Sequence, residues 1–172
     1  DPASLIYTSY TTGTIRRDYS VMVDNKALYA QFEYRPNEAW QMVLGGRYDH
    51  IRYAFENNLT PSAVTGAPSQ SQSYQHFSPK LGINFSIHPN WSIYSNLSQG
   101  FTPPEVSAQF GASQVAPVLR EASFNNLDIG TRWRSADKRF HLDVGLYRLS
   151  GKDEIVSYSS APGSSVAMNS GK

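Results

Sequence analysis

Six segments of this chain alternate between uncharged and ionic residues with a period of two, at about 26–35, 39–53, 77–87, 91–99, 125–134 and 139–149. Successive side chains of a β-strand point to opposite faces, so this period predicts strands with one uncharged and one ionic face. The uncharged set is Leu28, Ala30, Phe32 and Tyr34; Trp40, Met42, Leu44, Gly46 and Tyr48; Leu81, Ile83, Phe85 and Ile87; Trp91, Ile93, Ser95 and Leu97; Leu127, Ile129, Thr131 and Trp133; Phe140, Leu142, Val144 and Leu146. The opposite set holds Gln31, Glu33, Arg35, Arg47, Asp49, Lys80, Asn84, Asn96, Asp128, Arg132, Arg134, His141 and Asp143.

The connections alternate too. Pro36-Asn37-Glu38, His88-Pro89-Asn90 and Ser135-Ala136-Asp137-Lys138 are tight turns built from turn-forming residues. Residues 54–76 and 100–124 are long and rich in Ser, Gly, Pro, Asn and Gln, and 1–25 and 150–172 read as two more long loops. One turn of helix fits between Pro103 and Gln109. Short turns at one end and long loops at the other are the pattern of an outer-membrane barrel.

Composition bounds the alternatives. Mean hydropathy is −0.45 and no apolar run approaches the roughly 18–20 residues of a spanning helix, yet barrel strands hide their hydrophobicity in alternation. A formal net charge of +1 gives no electrostatic case for nucleic acid as a partner. With no cysteine there is neither a disulfide framework nor a Cys-based zinc site. No secretory signal opens the chain, which implies a beginning other than the native one if the protein is exported.

Alternation by itself fits a half-buried soluble sheet as well. The aromatic residues favour lipid. Tyr34 and Trp40 flank the first tight turn, Trp91 follows the second, and Trp133 and Phe140 flank the third. All five fall on the uncharged face at one end of the sheet, as in the aromatic girdle of a barrel. The ten steps from Trp40 to His50 span about 33 Å along a strand, which at a tilt of about 40° crosses about 25 Å of apolar band. Outer-membrane lipid is the implied partner of the uncharged face, and a wet interior that of the ionic face.

No catalytic signature stands out. His50, His76, His88 and His141 are dispersed, without the spacing of a metal-binding helix motif, and there is no nucleophile elbow or phosphate-cradling loop. His141 and Asp143 share a face and form the one acid/base candidate; a hydrated pair is the simpler reading. An enzyme is not expected.

Five stretches resemble the barrel of TonB-dependent receptors, especially the siderophore branch. Leu28 to Tyr34 (LYAQFEY) is a "YAQ" strand and Leu44 to His50 (LGGRYDH) is similar to "GxRYD". Phe77 to Gly82 (FSPKLG) matches "FSPKLG". Ser92 to Pro104 (SIYSNLSQGFTPP) matches "SQGFxPP", and Phe124 to Gly130 (FNNLDIG) is a variant of "NYELG". They come in the family's order and the resemblance covers about 26–157. Leu119-Arg120-Glu121-Ala122 replaces the family's "L-x-P-E".

The resemblance implies an all-β, antiparallel transmembrane β-barrel segment, about six strands of a 22-stranded barrel, from the middle of a longer chain. Family members carry a plug domain and a coupling box that binds TonB, neither of which is recognised in these residues. It also implies that the parent imports a ferric siderophore or a similar scarce nutrient, with iron present only inside the chelated ligand and no cofactor or metal ligands of the protein's own. Tyr74, His76, Phe101, Phe110 and Arg120, read as loop residues, are the candidate ligand contacts, because aromatics with a cation suit a flat anionic chelate. A passive outer-membrane channel or structural barrel, an outer-membrane hydrolase and a soluble β-sandwich binding module stand as alternatives.

Overall fold

The computed structural model describes residue 13 and residues 15–110, 117–161 and 164–170. Its elements are β1 (Tyr19–Asn37), β2 (Trp40–Asn57), β3 (Gln70–His88), β4 (Trp91–Thr102), α1 (Val106–Phe110), β5 (Ala122–Arg134), β6 (His141–Lys152), β7 (Ile155–Ala161) and β8 (Ser164–Asn169). Strands β1 to β6 form one antiparallel sheet in chain order, and β7 pairs with β8 in a separate hairpin. The sheet is open: among the described residues β1 and β6 each pair along one side only.

The register carries the uncharged face across the sheet in slanting rows, the first of which runs over five strands and meets Arg148, opposite Leu127, on β6. Phe32 lies opposite Leu44, Leu44 opposite Leu81, Leu81 opposite Leu97 and Leu97 opposite Leu127. The next row runs from Tyr34 through Met42, Ile83, Ser95 and Ile129 to Leu146. Nothing covers these side chains: Leu44 is 61 % exposed and Val144 50 % exposed. A one-residue slip would move every one of them to the ionic face, so the pattern fixes the register.

The tight turns set the lower end. Asn37 closes the β1–β2 turn by accepting the Ala39 and Trp40 amides on its side-chain oxygen. In the β5–β6 turn Lys138 takes a left-handed φ of 61°, and its amide donates to the Ser135 carbonyl at 2.9 Å. Ser135 Oγ accepts the Phe140 amide, while Ser135 Oγ and the Arg139 amide donate to Asp137. Those bonds hold the Asp137 carboxyl below its ordinary range.

At the upper end the strands run further than expected. Residues 19–25, 54–57 and 70–76 belong to β1, β2 and β3 instead of loops, and the expected terminal loop contains the β7–β8 hairpin. Gln70-Ser71-Gln72-Ser73 has little strand propensity. It becomes a strand because Phe55, Ala54, Tyr53 and Arg52 offer it backbone partners residue for residue. The expected helical turn is α1. Residues 1–12, 14, 162, 163, 171 and 172 of the expected terminal loops, and 111–116 of the 100–124 connection, lie outside the described residues.

Candidate functional site

Two surfaces of the sheet carry the candidate residues: the ionic face of the lower strands and an aromatic cup above it. On the ionic face Arg47 makes a two-pronged contact with Asp49, its Nε 2.8 Å and its Nη2 2.8 Å from the two carboxylate oxygens. Asp49 is buried, so this pairing keeps a desolvated charge satisfied. Arg132 Nε lies 3.1 Å from Asp143, and its guanidinium sits 4.5 Å above the Tyr94 ring. Tyr94 in turn lies flat across Gly130, its direct partner on β5. A Cβ at Gly130 would stand 2.5 Å from Tyr94 Cζ, so only glycine admits the ring there. Glu33 binds Arg35 at 2.6 Å and accepts the Gln41 amide at 2.9 Å.

Lys80, Asp128 and His141 share this face but make no ion pair among the described residues. Asp143 is engaged by Arg132, not by His141, which leaves the acid/base pairing of His141 with Asp143 without geometric support.

The candidate ligand contacts are not loop residues in the main. Tyr74 and His76 lie on β3 and Phe101 near the end of β4; Phe110 ends α1. Arg120 alone sits in a described connection. Tyr74 is 3 % exposed and Phe110 is 1 % exposed, packed with Ile51, Tyr53 and Phe55. The Phe110 ring stacks on Phe55 at 4.8 Å, and Tyr74 meets Tyr53 edge-on at 5.7 Å. Burial pushes the Tyr74 phenol far above its ordinary value. The β2–β3 connection clamps the cup: the Ala67 amide donates to the Phe110 carbonyl at 3.2 Å. Gly66 has φ of 99°, and a Cβ there would crowd that carbonyl at 3.1 Å.

His76 stacks on Phe101 at 4.6 Å, with Nδ1 3.7 Å from Glu121 and Nε2 buried without a hydrogen-bond partner. Arg120 pairs with Asp153 at 2.8 Å, and its backbone is clipped to the β7–β8 hairpin through both polar atoms of the Asn169 side chain. Among the described residues no group of three or more His, Cys, Asp or Glu is gathered to hold a metal.

Of the five expected girdle aromatics, Trp91 lies directly opposite Trp133 and Tyr34 opposite Met42. Phe140 stands in the turn just before β6 instead of inside the strand. Trp40 is joined by Phe85, with ring centroids 4.5 Å apart. Register singles out Phe85 as a rim residue, where the sequence pattern placed it simply on the uncharged face. Tyr94 and Gly130 both stood in the family-like stretches Ser92–Pro104 and Phe124–Gly130, but nothing in the sequence marked their contact.

A model of the TonB-dependent receptor-like β-barrel family matches residues 1–172. The chain is 25 % identical over 151 residues to a probable TonB-dependent receptor, BfrD, of Bordetella pertussis, covering 84 % of this chain and 20 % of the relative. It is 25 % identical over 164 residues to TonB-dependent heme receptor A of Haemophilus ducreyi, covering 90 % of this chain and 21 % of the relative. The chain therefore spans about a fifth of the length of these curated relatives. Among solved structures, the ferric-catecholate import receptor Fiu of Escherichia coli K12 superposes with a TM-score of 0.63 at 17 % identity, over 87 % of this chain and 24 % of Fiu; that likeness concerns the fold.

Proposed function

This chain belongs to the TonB-dependent receptor-like β-barrel family of the outer membrane, and on that premise we propose that its parent protein imports a ferric siderophore or a similarly scarce chelated nutrient, driven by TonB. The observation that carries the reading is the uncharged face of the lower strands, whose row from Tyr34 through Met42, Ile83, Ser95 and Ile129 to Leu146 runs in register across all six. A charge near mid-bilayer on that face costs about 2–4 kcal/mol for Arg or Lys, and hydrocarbon is the solvent that such a face suits. A β-sandwich would bury it under a second sheet. Tyr34, Trp40, Trp91, Trp133 and Phe140 then form the girdle on the turn side.

Glu33, Arg47, Asp49, Lys80, Asp128, Arg132, His141 and Asp143 line the lumen in this reading, bonding water, one another and a plug. Bare strand edges do not persist in lipid, so β1 and β6 continue into further strands of the parent barrel. His76, Phe101 and Arg120 stand at the loop end, where the ligand arrives. Tyr74 and Phe110 reach it only if α1 swings out of the cup. The names of the relatives, a heme receptor and a ferric-catecholate importer, support a metal chelate whose iron is cargo, not cofactor. The reading is of a receptor and not an enzyme.

The test is uptake of radioactive iron, supplied as a panel of ferric siderophores and heme, by cells carrying or lacking the full-length gene. Uptake that needs the gene and stops when TonB is deleted supports the proposal. Gene-dependent uptake that continues without TonB identifies a passive channel instead.

A further inference from the structure

Two hollows on the ionic face meet at Arg132. The upper one, of about 220 Å³, has Lys80, Arg132, Tyr94, Gln31, Asn84 and Asn96 in its wall. The lower one, of about 390 Å³, opens between the β3–β4 and β5–β6 turns and is walled by Arg132, Arg134, His141, Ser86 and Ser92, with Lys138 of the last turn. Register sets these groups on one face: Ser86 lies opposite Ser92, Ser92 opposite Arg132, and Arg134 opposite His141. Neither wall contains a carboxylate among the described residues.

The carboxylates of this face are engaged elsewhere or turned away. Glu33 holds Arg35 and the Gln41 amide, and Asp49 holds Arg47. Asp143 binds Arg132 from β6 at 3.1 Å. Asp128 leans toward β6, 3.7 Å from where a Cβ on Gly145 would stand. Lys80, Arg134 and Lys138 have no carboxylate within 4.0 Å among the described residues. Ammonium, guanidinium, amide and hydroxyl donors without a competing carboxylate are the lining of an anion pathway. Lys80 is level with Ser98 and Asn126, eight residues from Arg134 along β5, or about 26 Å. A single fixed carboxylate satisfies one end of that span and not the other. Cations in series, each holding an anion weakly, suit an anion that moves past them. The backbone keeps the lower end in shape: the Arg134 amide donates to the Asn90 carbonyl at 2.8 Å, and Asn90 Nδ2 donates to the Arg134 carbonyl at 2.9 Å. Gly82 keeps the upper hollow clear, since a Cβ there would stand 3.0 Å from Asn96 Oδ1.

We propose that Lys80, Arg132 and Arg134 form a track on the luminal wall for an anionic chelate in transit from the middle of the barrel to its turn-side mouth. The proposal rests on the import reading above and adds to it the sign of the cargo's charge and a site apart from the loop-end residues. The test has two arms, both on the full-length protein. Crystals are soaked in sodium bromide or rubidium chloride, and the ions are located by anomalous scattering. Bromide is expected beside Lys80 and beside Arg134, and rubidium at neither. Uptake by cells is then followed against concentration with radioactive iron supplied as ferric enterobactin or heme, both anions, as ferrichrome, which is neutral, or as ferrioxamine B, a cation. The chelate whose uptake needs the gene is an anion. K80Q/R134Q lowers its maximal uptake rate about tenfold, an exposed ionic contact being worth a factor of about five at most. The half-saturating concentration stays unchanged, because capture occurs at the loop end. R148Q, which removes a cation from the opposite face, changes neither quantity. Heat-modifiable migration on gels shows that each variant is folded.

A neutral or cationic chelate as the cargo overturns the proposal and leaves the import reading standing. An unchanged maximal rate in K80Q/R134Q overturns it as well, and so do plug carboxylates that fill both positions in the crystal. If no chelate needs the gene for uptake, the import reading fails by itself: bromide at both positions still assigns an anion track to the wall, and bromide at fewer than both removes it.

Discussion

The lower and upper halves of β1, β2 and β3 are continuous strands with opposite polarity. Up to the row of Leu28, Tyr48 and Phe77 the uncharged face holds Leu28, Phe32, Leu44 and Leu81, and the other face holds Glu33, Arg47 and Lys80. Above them the same faces exchange character. The face of Leu44 continues as Lys26, His50 and Gln75, then Asp24, Arg52 and Ser73. The face of Arg47 continues as Asn25, Ile51 and Tyr74, then Val21 and Phe55, which pack under α1. The backbone ladder does not change at the crossover; the solvent on each side does. In the proposed reading hydrocarbon gives way to water outside, and wet lumen gives way to the folded cup inside. The crossover therefore marks the upper edge of the apolar band, and Gln99, Asn125 and Arg148 mark it on β4, β5 and β6. From Trp40 to Tyr48 is nine residues, within the roughly 9–11 that cross a bilayer as a tilted strand.

Phe110→Ala has the largest expected effect and acts in the upper half alone. It empties the cup at a cost of about 3–5 kcal/mol in local stability. Hydrogen exchange then speeds at Ile51–Phe55 and Tyr74, while Met42–Leu44 keeps its protection; equal loss in both halves would merge the two regions into one cooperative unit. Leu44→Arg tests the lower half, costing about 2–4 kcal/mol in urea-dependent folding into bilayers. Ala54→Arg, on the same face but above the crossover, leaves folding within about 0.5 kcal/mol. If the two arginines cost the same, the crossover is not the membrane edge.

Gly130→Ala drives a methyl group into the Tyr94 ring and costs about 1–3 kcal/mol, a loss that Tyr94→Ala in the same background largely relieves. The smallest effect is on pH. Burial raises the folded-state pKa of Tyr74 above its unfolded value near 10, so the folded cup holds the proton more tightly than the unfolded chain. The stabilisation is complete below pH 10 and declines as pH rises beyond it. Exchange protection at Ile51–Phe55 falls above pH 10 in the unaltered protein and less so in Tyr74→Phe, with the lower half unaffected.

Six strands and both faces of the lower half were legible because a sheet face that meets one environment keeps one polarity, which leaves a period-two record along each strand. The upper half was misread for the same reason. Once the faces exchange at Tyr48, the pattern of Leu44 and Arg47 stops predicting Arg52 and Tyr53, and Gln70–Gln75 reads as a loop. Tyr74 and Phe110 were picked as ligand contacts from their residue type and their place in the expected loops. Their burial depends on a helix that begins more than thirty residues beyond Tyr74 and on a carbonyl held by Ala67.

Local sequence determined which residues shun charge and where the chain turns, since alternation and turn chemistry act over a few neighbouring residues. Only tertiary structure decided how far the strands continue past the membrane, which aromatic rings close on each other, and which cations at the lower rim are left without partners. Those outcomes depend on pairing between segments distant in the chain, and a residue's own neighbours in sequence carry no trace of it.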